Sequence, residues 1–126
     1  MTLLAGCAGS ATRDAIETPF APSGDPARGR EIFISRDGGH CVLCHSVPGA
    51  TVAGNVGPPL AGVGSRLSAG QIRLRIADIT RVNPEAVMPT FHRVEGMQKV
   101  APNYSGRPAL DAQQVEDLVA WLGTLT

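Results

Sequence analysis

The segment CVLCH carries two cysteines, Cys41 and Cys44, with His45 directly after the second. The two thiols are too close in sequence to join distant parts of the chain by a disulfide. A zinc site would need two further ligands at similarly short spacing, and the flanking residues do not supply them. A thioredoxin-like redox pair would lie in a strand-helix-strand context, whereas the flanks RDGGH and SVPGATVAGNVGPP predict loops.

Covalent haem attachment is the interpretation that uses all three side chains. Two thiols react with the two vinyl groups of a haem, and the adjacent histidine then binds the iron as its proximal ligand. We therefore expect Cys41 and Cys44 to hold one haem c covalently and His45 to ligate the iron. His40 precedes the first cysteine and is predicted to be a loop residue rather than a ligand.

Composition limits the remaining possibilities. The 11 basic and 11 acidic residues cancel, and no block of like charge stands out, so a nucleic acid is not expected as a partner. Three Phe, one Tyr and one Trp are few for a chain of 126 residues, whereas 15 Gly and 10 Pro predict much irregular backbone. A bound cofactor would fill a core that is poor in aromatic side chains. No apolar run approaches the roughly 20 residues that span a bilayer.

The folded part of the chain is predicted to begin near Asp25. Residues 1–24 are small and polar, contain proline and show no sustained period, which is typical of a tail or linker. Asp25 followed by Pro26 is typical of an N-cap and a first helical residue, and the glycine pair within 37–39 would break this helix. We therefore predict a tail over 1–24 and a single domain over 25–126.

The C-terminal stretch predicts the most regular helix. Asp111 and Gln114 have the spacing of a capping box. Apolar residues then follow at helical spacing: Val115, Leu118, Val119 and Leu122. Because Gly29 has no side chain, we expect it to allow a close crossing of the first helix with this one near Trp121.

The segment RLSAGQIRLRIADI is compatible with two structures. Ile72, Leu74 and Ile76 alternate with polar residues as in a strand. Ser68 and Gln71 have capping-box spacing, however, and apolar residues also recur at helical intervals. We favour a helix that ends before Asn83 and Pro84, which makes the predicted fold all-α with long loops. Loops this long in a small domain indicate a bound cofactor.

The order and spacing of these features resemble class I c-type cytochromes throughout residues 25–126. The matching features are Gly29 and Phe33, the CVLCH motif, Gly57-Pro58-Pro59-Leu60, Met88-Pro89 and a C-terminal helix that bears an aromatic residue. Within that class, GPPLAGVGSRLSAGQIRLRI, NPEAVMPTFHRVEG and APNYSGRPALDAQQVEDLVAWL are similar to SoxX, the family of small monohaem subunits of SoxAX cytochromes. The resemblance implies a class I cytochrome c fold, in which helices and long loops surround one covalently attached haem.

The resemblance also implies roles for two residues beyond the motif. The carbonyl of Pro58 would accept a hydrogen bond from the ring N–H of His45 and so fix the imidazole. Met88, followed by proline as in the ligand loop of the family, would be the sixth ligand of the iron; His92 and Met97 are the alternatives. Ligation by His and Met raises the reduction potential and leaves the iron without an open position.

Three arginines have two interpretations. Arg66, Arg73 and Arg75 could each pair with a haem propionate. An exposed, solvated helix face is the favoured interpretation for each of them.

The extreme N terminus contains a short lipoprotein-like box, LLAGC, in which Cys7 would be the lipidated residue. Only MTLL precedes it, whereas a secretory signal needs a basic region and an apolar stretch of about 7 to 15 residues. A free or partner-bonded thiol is therefore an equal alternative. Since the family attaches haem outside the cytoplasm, the resemblance implies a periplasmic protein, which would reach a membrane only through a lipidated Cys7.

Two functions are compatible with the resemblance. As a SoxAX subunit, the chain would form a heterodimer with SoxA and accept electrons when thiosulfate is oxidatively coupled to a cysteine of SoxYZ. It would then pass them to a downstream cytochrome or similar acceptor. As a free-standing electron shuttle, it would have no permanent partner. No residue is predicted to be catalytic, so catalysis would belong to SoxA, and VEGMQKVAPNYSGRP (94–108) would contact SoxA.

Overall fold

The computed structural model of the chain describes residues 14–126. Cys7 lies outside the described residues. Four α-helices span Pro26–Ile34 (α1), Val63–Arg66 (α2), Ala69–Asp78 (α3) and Ala112–Gly123 (α4). Short 3₁₀ helices span Cys41–Leu43, Ile79–Arg81 and Pro102–Tyr104. Within residues 14–126 there is no β-strand, as the all-α prediction required.

Helix α1 begins as the sequence predicts. The Asp25 carboxylate accepts hydrogen bonds from the backbone N–H groups of Ala27 and Arg28, and Pro26 occupies the first helical turn, where a missing N–H costs nothing. The helix ends at Ile34, a few residues before the predicted glycine break, because Ser35 is already extended.

The ambiguous middle segment is a helix, as favoured. Ser68 and Gln71 form a complete capping box at the start of α3, with each side chain bonded to the other residue's backbone N–H. Ile72 and Ile76 are buried in the core. The 3₁₀ turn Ile79–Arg81 follows α3 directly, so the helical run ends just before the predicted boundary.

Helices α1 and α4 cross closely at Gly29, which confirms the predicted crossing. A Cβ atom on Gly29 would overlap the backbone carbonyl of Asp117 and would lie 2.8 Å from the Cβ of Trp121. The rings of Phe33 and Trp121 pack beside this crossing with their centroids 5.1 Å apart. The crossing fixes the angle at which α4 presents its apolar residues to the rest of the core.

Residues 14–24 contain no helix or strand, but they lie against the helices. The backbone N–H of Ile16 donates to the carbonyl of Gly70 at 2.9 Å, and the guanidinium of Arg73 donates to the carbonyl of Ile16 at 2.7 Å. Further along, the ring of Phe20 stacks on that of His92 at a centroid distance of 4.7 Å. The described part of the predicted tail is therefore fixed to the domain by hydrogen bonds and stacking.

Two buried acidic side chains of α4, Glu116 and Asp117, bind groups of α3, of α1 and of the segment before α1. Glu116 forms a bidentate ion pair with Arg73, with both N to O distances at 2.7 Å, and both side chains are buried. Asp117 accepts hydrogen bonds from the backbone N–H of Asp25 at 2.7 Å and from Nε of Arg28 at 3.2 Å. We call these two acids and their partners the polar cluster.

Candidate haem site

A cavity of about 570 Å³ lies between α3, α4 and the loops that precede α2 and follow α3. Apolar side chains form most of its wall, among them Phe33, Leu60, Ile72, Ile76, Phe91 and Leu118. Its volume is in the range of cofactor sites. Cys41, His45, Pro58 and Met88, all predicted from the sequence, line this cavity, whereas Cys44 is not among its lining residues.

The CVLCH motif folds as a single tight turn. The backbone N–H groups of Cys44 and His45 both donate to the carbonyl of Cys41, at 3.1 and 2.9 Å. His40 enters this turn in the left-handed region, with φ of 48°, and caps it without a side-chain hydrogen bond. The turn is what brings the Cys41 thiol and the His45 ring to the same cavity.

The acidity of the Cys41 thiol argues against a thiol redox site. Burial, with a smaller contribution from the neighbouring Cys44, raises the pKa of the Cys41 thiol to about 12. A thiol with so high a pKa is protonated at neutral pH, whereas it is the thiolate that attacks disulfides. Among residues 14–126 there is no cluster of three or more His, Cys, Asp or Glu side chains that could hold a metal ion.

The His45 ring is held from two sides. Its Nδ1 lies 2.8 Å from the carbonyl oxygen of Pro58, so the ring N–H donates to that carbonyl and Nε2 is the nitrogen left to bind iron. Gly57 packs against the ring itself, because a Cβ atom there would lie 2.6 Å from Nδ1 and 2.7 Å from Nε2. Sequence reasoning singled out Pro58 but missed Gly57; the only signal was its position in GPPL.

The three candidates for the sixth ligand lie in different places. Met88 lines the cavity that also contains His45. The sulfur of Met97 accepts a hydrogen bond from the Thr90 hydroxyl at 3.4 Å, outside this cavity. His92 stacks on an aromatic ring, and its Nδ1 lies 2.8 Å from the carbonyl of Leu110. Only the Met88 side chain is therefore positioned on the cavity.

The three arginines divide in an unpredicted way. Arg66 and Arg75 line the cavity, where their guanidinium groups are bonded to the carbonyls of Ala61 and Gln71. Arg73 does not line it, and it does not lie on a solvated face either, because it is buried in the polar cluster. Its acidic partner is 43 residues further along the chain, so no local pattern indicated the pair.

The residues present fit a haem. The cavity wall is mostly apolar, and the Cys41 thiol, Met88 and a histidine with one ring nitrogen bonded to a carbonyl all line it. Phe33 contributes a ring to the wall, but most of the remaining lining is aliphatic, which matches the scarcity of aromatic residues in the sequence. A porphyrin would thus supply the aromatic mass that the core lacks.

Comparisons with known proteins agree with this geometry. The family model described as cytochrome c matches residues 26–126. A chain of the crystal structure of SoxXA from P. pantotrophus is 33% identical, with 90% of each chain covered and a TM-score of 0.81. The c-type cytochrome SorU from Sinorhizobium meliloti is 24% identical over 79% of this chain and 88% of its own, with a TM-score of 0.52, and shows likeness of fold alone. No curated protein sequence matches the chain.

These matches confirm the predicted fold, the predicted haem c and the predicted resemblance to SoxX. Within residues 14–126 no helix is long and apolar enough to cross a membrane. The chain belongs to the cytochrome c family and is an electron-transfer cytochrome with one covalently attached haem c.

Proposed function

We propose that this cytochrome is the electron-accepting subunit of a SoxAX-type heterodimer. Its SoxA-type partner would couple thiosulfate oxidatively to a cysteine of SoxYZ, and the released electrons would pass to the haem of this chain. The observation that carries the proposal is the 33% identity to a chain of SoxXA over 90% of both chains. Catalysis belongs to the partner, because both thiols of the CVLCH motif are committed to haem attachment.

Each site residue has a distinct role in this proposal. Cys41 and Cys44 would hold the haem through thioether bonds, and His45 and Met88 would be the protein ligands of its iron. The haem supplies a one-electron couple between ferric and ferrous iron. The carbonyl of Pro58 fixes the orientation of the His45 ring and would tune its basicity toward the iron.

The edge of the haem cavity is suited to receiving an electron. Val56 and Val87 line the cavity, yet their side chains are 68% and 82% exposed. Apolar side chains at this edge would exclude water when a partner docks, and the partner's donor would then face the haem across a dry contact.

The proposal extends to location and to later transfer. Haem attachment of this kind takes place outside the cytoplasm in the family, so we assign the chain to the periplasm. Lipidation of Cys7 would in addition anchor it to a membrane. A downstream cytochrome or similar acceptor would take the electron from the same haem edge, and SoxYZ would contact the heterodimer only transiently.

The axial ligand is tested by replacing each methionine in turn. Met88→Ala should remove the weak long-wavelength sulfur-to-iron band of the oxidised protein and lower its reduction potential, because a thioether ligand favours the ferrous state. Met97→Ala is the matched control and should preserve both. Loss of the band in the control alone would transfer the ligand to Met97, and a wild-type spectrum that lacks the band and is unchanged in both variants would point to His92.

The subunit assignment is tested through the segment 94–108. Its apolar side chains Val94, Val100 and Tyr104 are 38%, 39% and 49% exposed and line one cavity, so they offer a partner a contiguous apolar surface. Deleting part of 94–104 should abolish copurification with the SoxA-type partner while leaving the haem spectrum intact.

A milder variant controls for misfolding. The triple change Val94→Ser, Val100→Ser and Tyr104→Ser should weaken copurification, whereas Val52→Ser, at a side chain that is 83% exposed on another loop, should not. A wild-type protein that stays monomeric beside the partner at high concentration and low salt would defeat the subunit assignment. The free-standing shuttle would then be the better description, although a net charge of zero and a single lysine give it little basis for charge-steered docking.

A further inference from the structure

A second cavity of about 360 Å³ lies away from the haem cavity, between the segment that follows Met88 and the loop before α4. Its wall differs in kind from that of the haem cavity. Two guanidinium groups, Arg93 and Arg107, line it together with the hydroxyl-bearing side chains of Thr90, Tyr104 and Ser105. No Asp or Glu is among its lining residues in the described part of the chain, so the cavity is cationic.

Arg93 is incompletely satisfied within this cavity. Its Nη1 donates to the Thr80 hydroxyl at 3.2 Å and lies 3.7 Å from a carboxylate oxygen of Asp78. Its Nε is buried, and among the described residues it has no hydrogen-bond partner. Within residues 14–126 its Nη2 donates only to the sulfur of Met97 at 3.6 Å, which is a weak acceptor, so this part of the chain satisfies the guanidinium group incompletely.

Arg107 carries a charge that no described carboxylate neutralises. Its guanidinium donates to the carbonyl of Asn103, which is a neutral acceptor, and no acidic group of residues 14–126 lies within ion-pair distance of it. The side chain is exposed, so an incoming anion can reach it. The group that suits Arg107 in this cavity is therefore an oxygen atom that bears negative charge.

The rim of the cavity indicates where that oxygen comes from. Val94, Met97, Val100 and Tyr104 line the cavity together with the two arginines, and each of these side chains is between 38% and 49% exposed. Partly exposed apolar side chains beside a charged group are typical of a protein contact, in which they keep water from an ion pair. A small free ion would not cover these apolar side chains.

We propose that this cavity receives an acidic side chain of the partner subunit, whose carboxylate pairs with Arg107 beside the charge of Arg93. The inference rests on the proposed function, since it assigns the partner a chemical feature at the surface 94–108. It also explains how a chain with no net charge selects its partner. One ion pair that is shielded from water gives specificity without a large charged surface.

The test compares two single-charge variants of the haem-loaded cytochrome. Arg107→Gln should weaken binding to the SoxA-type partner by about tenfold or more, because a charge-assisted hydrogen bond at a water-excluded site is lost. Arg36→Gln removes the same charge from an exposed position that lines neither cavity, and should leave the dissociation constant unchanged. Arg107→Lys keeps the charge but not the planar guanidinium group with its paired N–H donors, so it should recover part of the affinity. The haem spectrum of each variant checks its fold.

Three results would overturn the inference, and they are distinguishable. Equal affinity of wild type and Arg107→Gln for the partner would contradict the proposed ion pair but leave the subunit assignment intact. Absence of partner binding by the wild type would contradict both the ion pair and the subunit assignment. Saturable binding of sulfate by the isolated cytochrome at constant ionic strength, lost in Arg107→Gln without any change in partner affinity, would make the cavity a site for a free oxyanion instead.

Discussion

Helix α4 has two buried surfaces that differ in chemistry, an apolar one at the haem cavity and a charged one in the polar cluster. Leu118 and Leu122 line the haem cavity, where the wall is apolar and incomplete without a cofactor. Glu116 and Asp117 lie between them and the start of the helix and are also buried, but each is fully paired by protein groups. The comparison shows that one side of α4 depends on an external group for its core, whereas the other is completed by the chain itself.

The largest effect should come from removing the thiols on the cofactor side. Replacing Cys41 and Cys44 together by alanine should leave a poorly folded chain, because the haem would no longer be retained and the aliphatic wall cannot close over the empty volume. Circular dichroism and thermal unfolding measure the fold. For the wild type, denaturing electrophoresis should show haem that stays with the polypeptide; haem lost under those conditions would contradict covalent attachment.

On the polar side, Arg73→Met should produce the next largest effect. It leaves the Glu116 carboxylate buried without its partner, which costs about 3–5 kcal/mol in the free energy of unfolding. The haem spectrum should stay the same, because Arg73 does not line the cavity. Denaturant unfolding measures the loss.

The double variant Arg73→Met with Glu116→Leu is the control for that experiment. Because an apolar pair of similar volume replaces both charges, most of the lost stability should return. If the double variant were as unstable as the single one, the cost would come from packing or from the lost hydrogen bond to the carbonyl of Ile16 rather than from an unpaired charge.

The two sides also differ in how far the sequence predicts them. The cofactor side follows from local signals: the CVLCH spacing, the proline of GPPL and the capping boxes of α3 and α4 lie within a few residues of what they determine. The polar cluster joins residues 43 and 92 positions apart, and charged residues at helix positions are usually solvated. Sequence patterns carry no information on such distant pairs, which is why Arg73 was predicted to be exposed.

Gly57 is intermediate between these cases, and Gly57→Ala should have a moderate effect. The added methyl group would meet the His45 ring, and overpacking of this kind typically costs about 1–3 kcal/mol. If the ring turns to relieve the contact, the hydrogen bond to the Pro58 carbonyl lengthens and the reduction potential shifts as well. Potentiometry and thermal unfolding measure the two effects.

The control for Gly57 is Gly123→Ala at the end of α4. A Cβ atom there would have no neighbour within 4 Å, so neither stability nor potential should fall. If Gly57→Ala lowered the stability without shifting the reduction potential, the added methyl group would displace the surrounding cavity wall and leave the His45 ring in place.

The smallest expected effect, from Asp117→Asn, is a pH-dependent loss of stability on the polar side. Burial alone would raise the pKa of the Asp117 carboxyl, but hydrogen bonds from the Asp25 backbone, Gln113 and Arg28 outweigh it and hold the pKa below the ordinary value of 3.8. A carboxyl whose pKa is lower in the folded state stabilises the fold above its unfolded pKa, and this contribution is lost as the pH falls through the folded value.

Wild type should therefore exceed Asp117→Asn in stability by about 1 kcal/mol at neutral pH, a modest figure because the Arg28 side chain is largely exposed. Since the asparagine cannot ionise, the two stability curves should converge as the pH drops below about 4. Glu31→Gln is the matched control, because its ion pair with Arg30 is exposed on both sides and should add nothing measurable at any pH. Curves for wild type and Asp117→Asn that stay parallel through the acid range would mean that Asp117 contributes through its shape and hydrogen bonds rather than its charge.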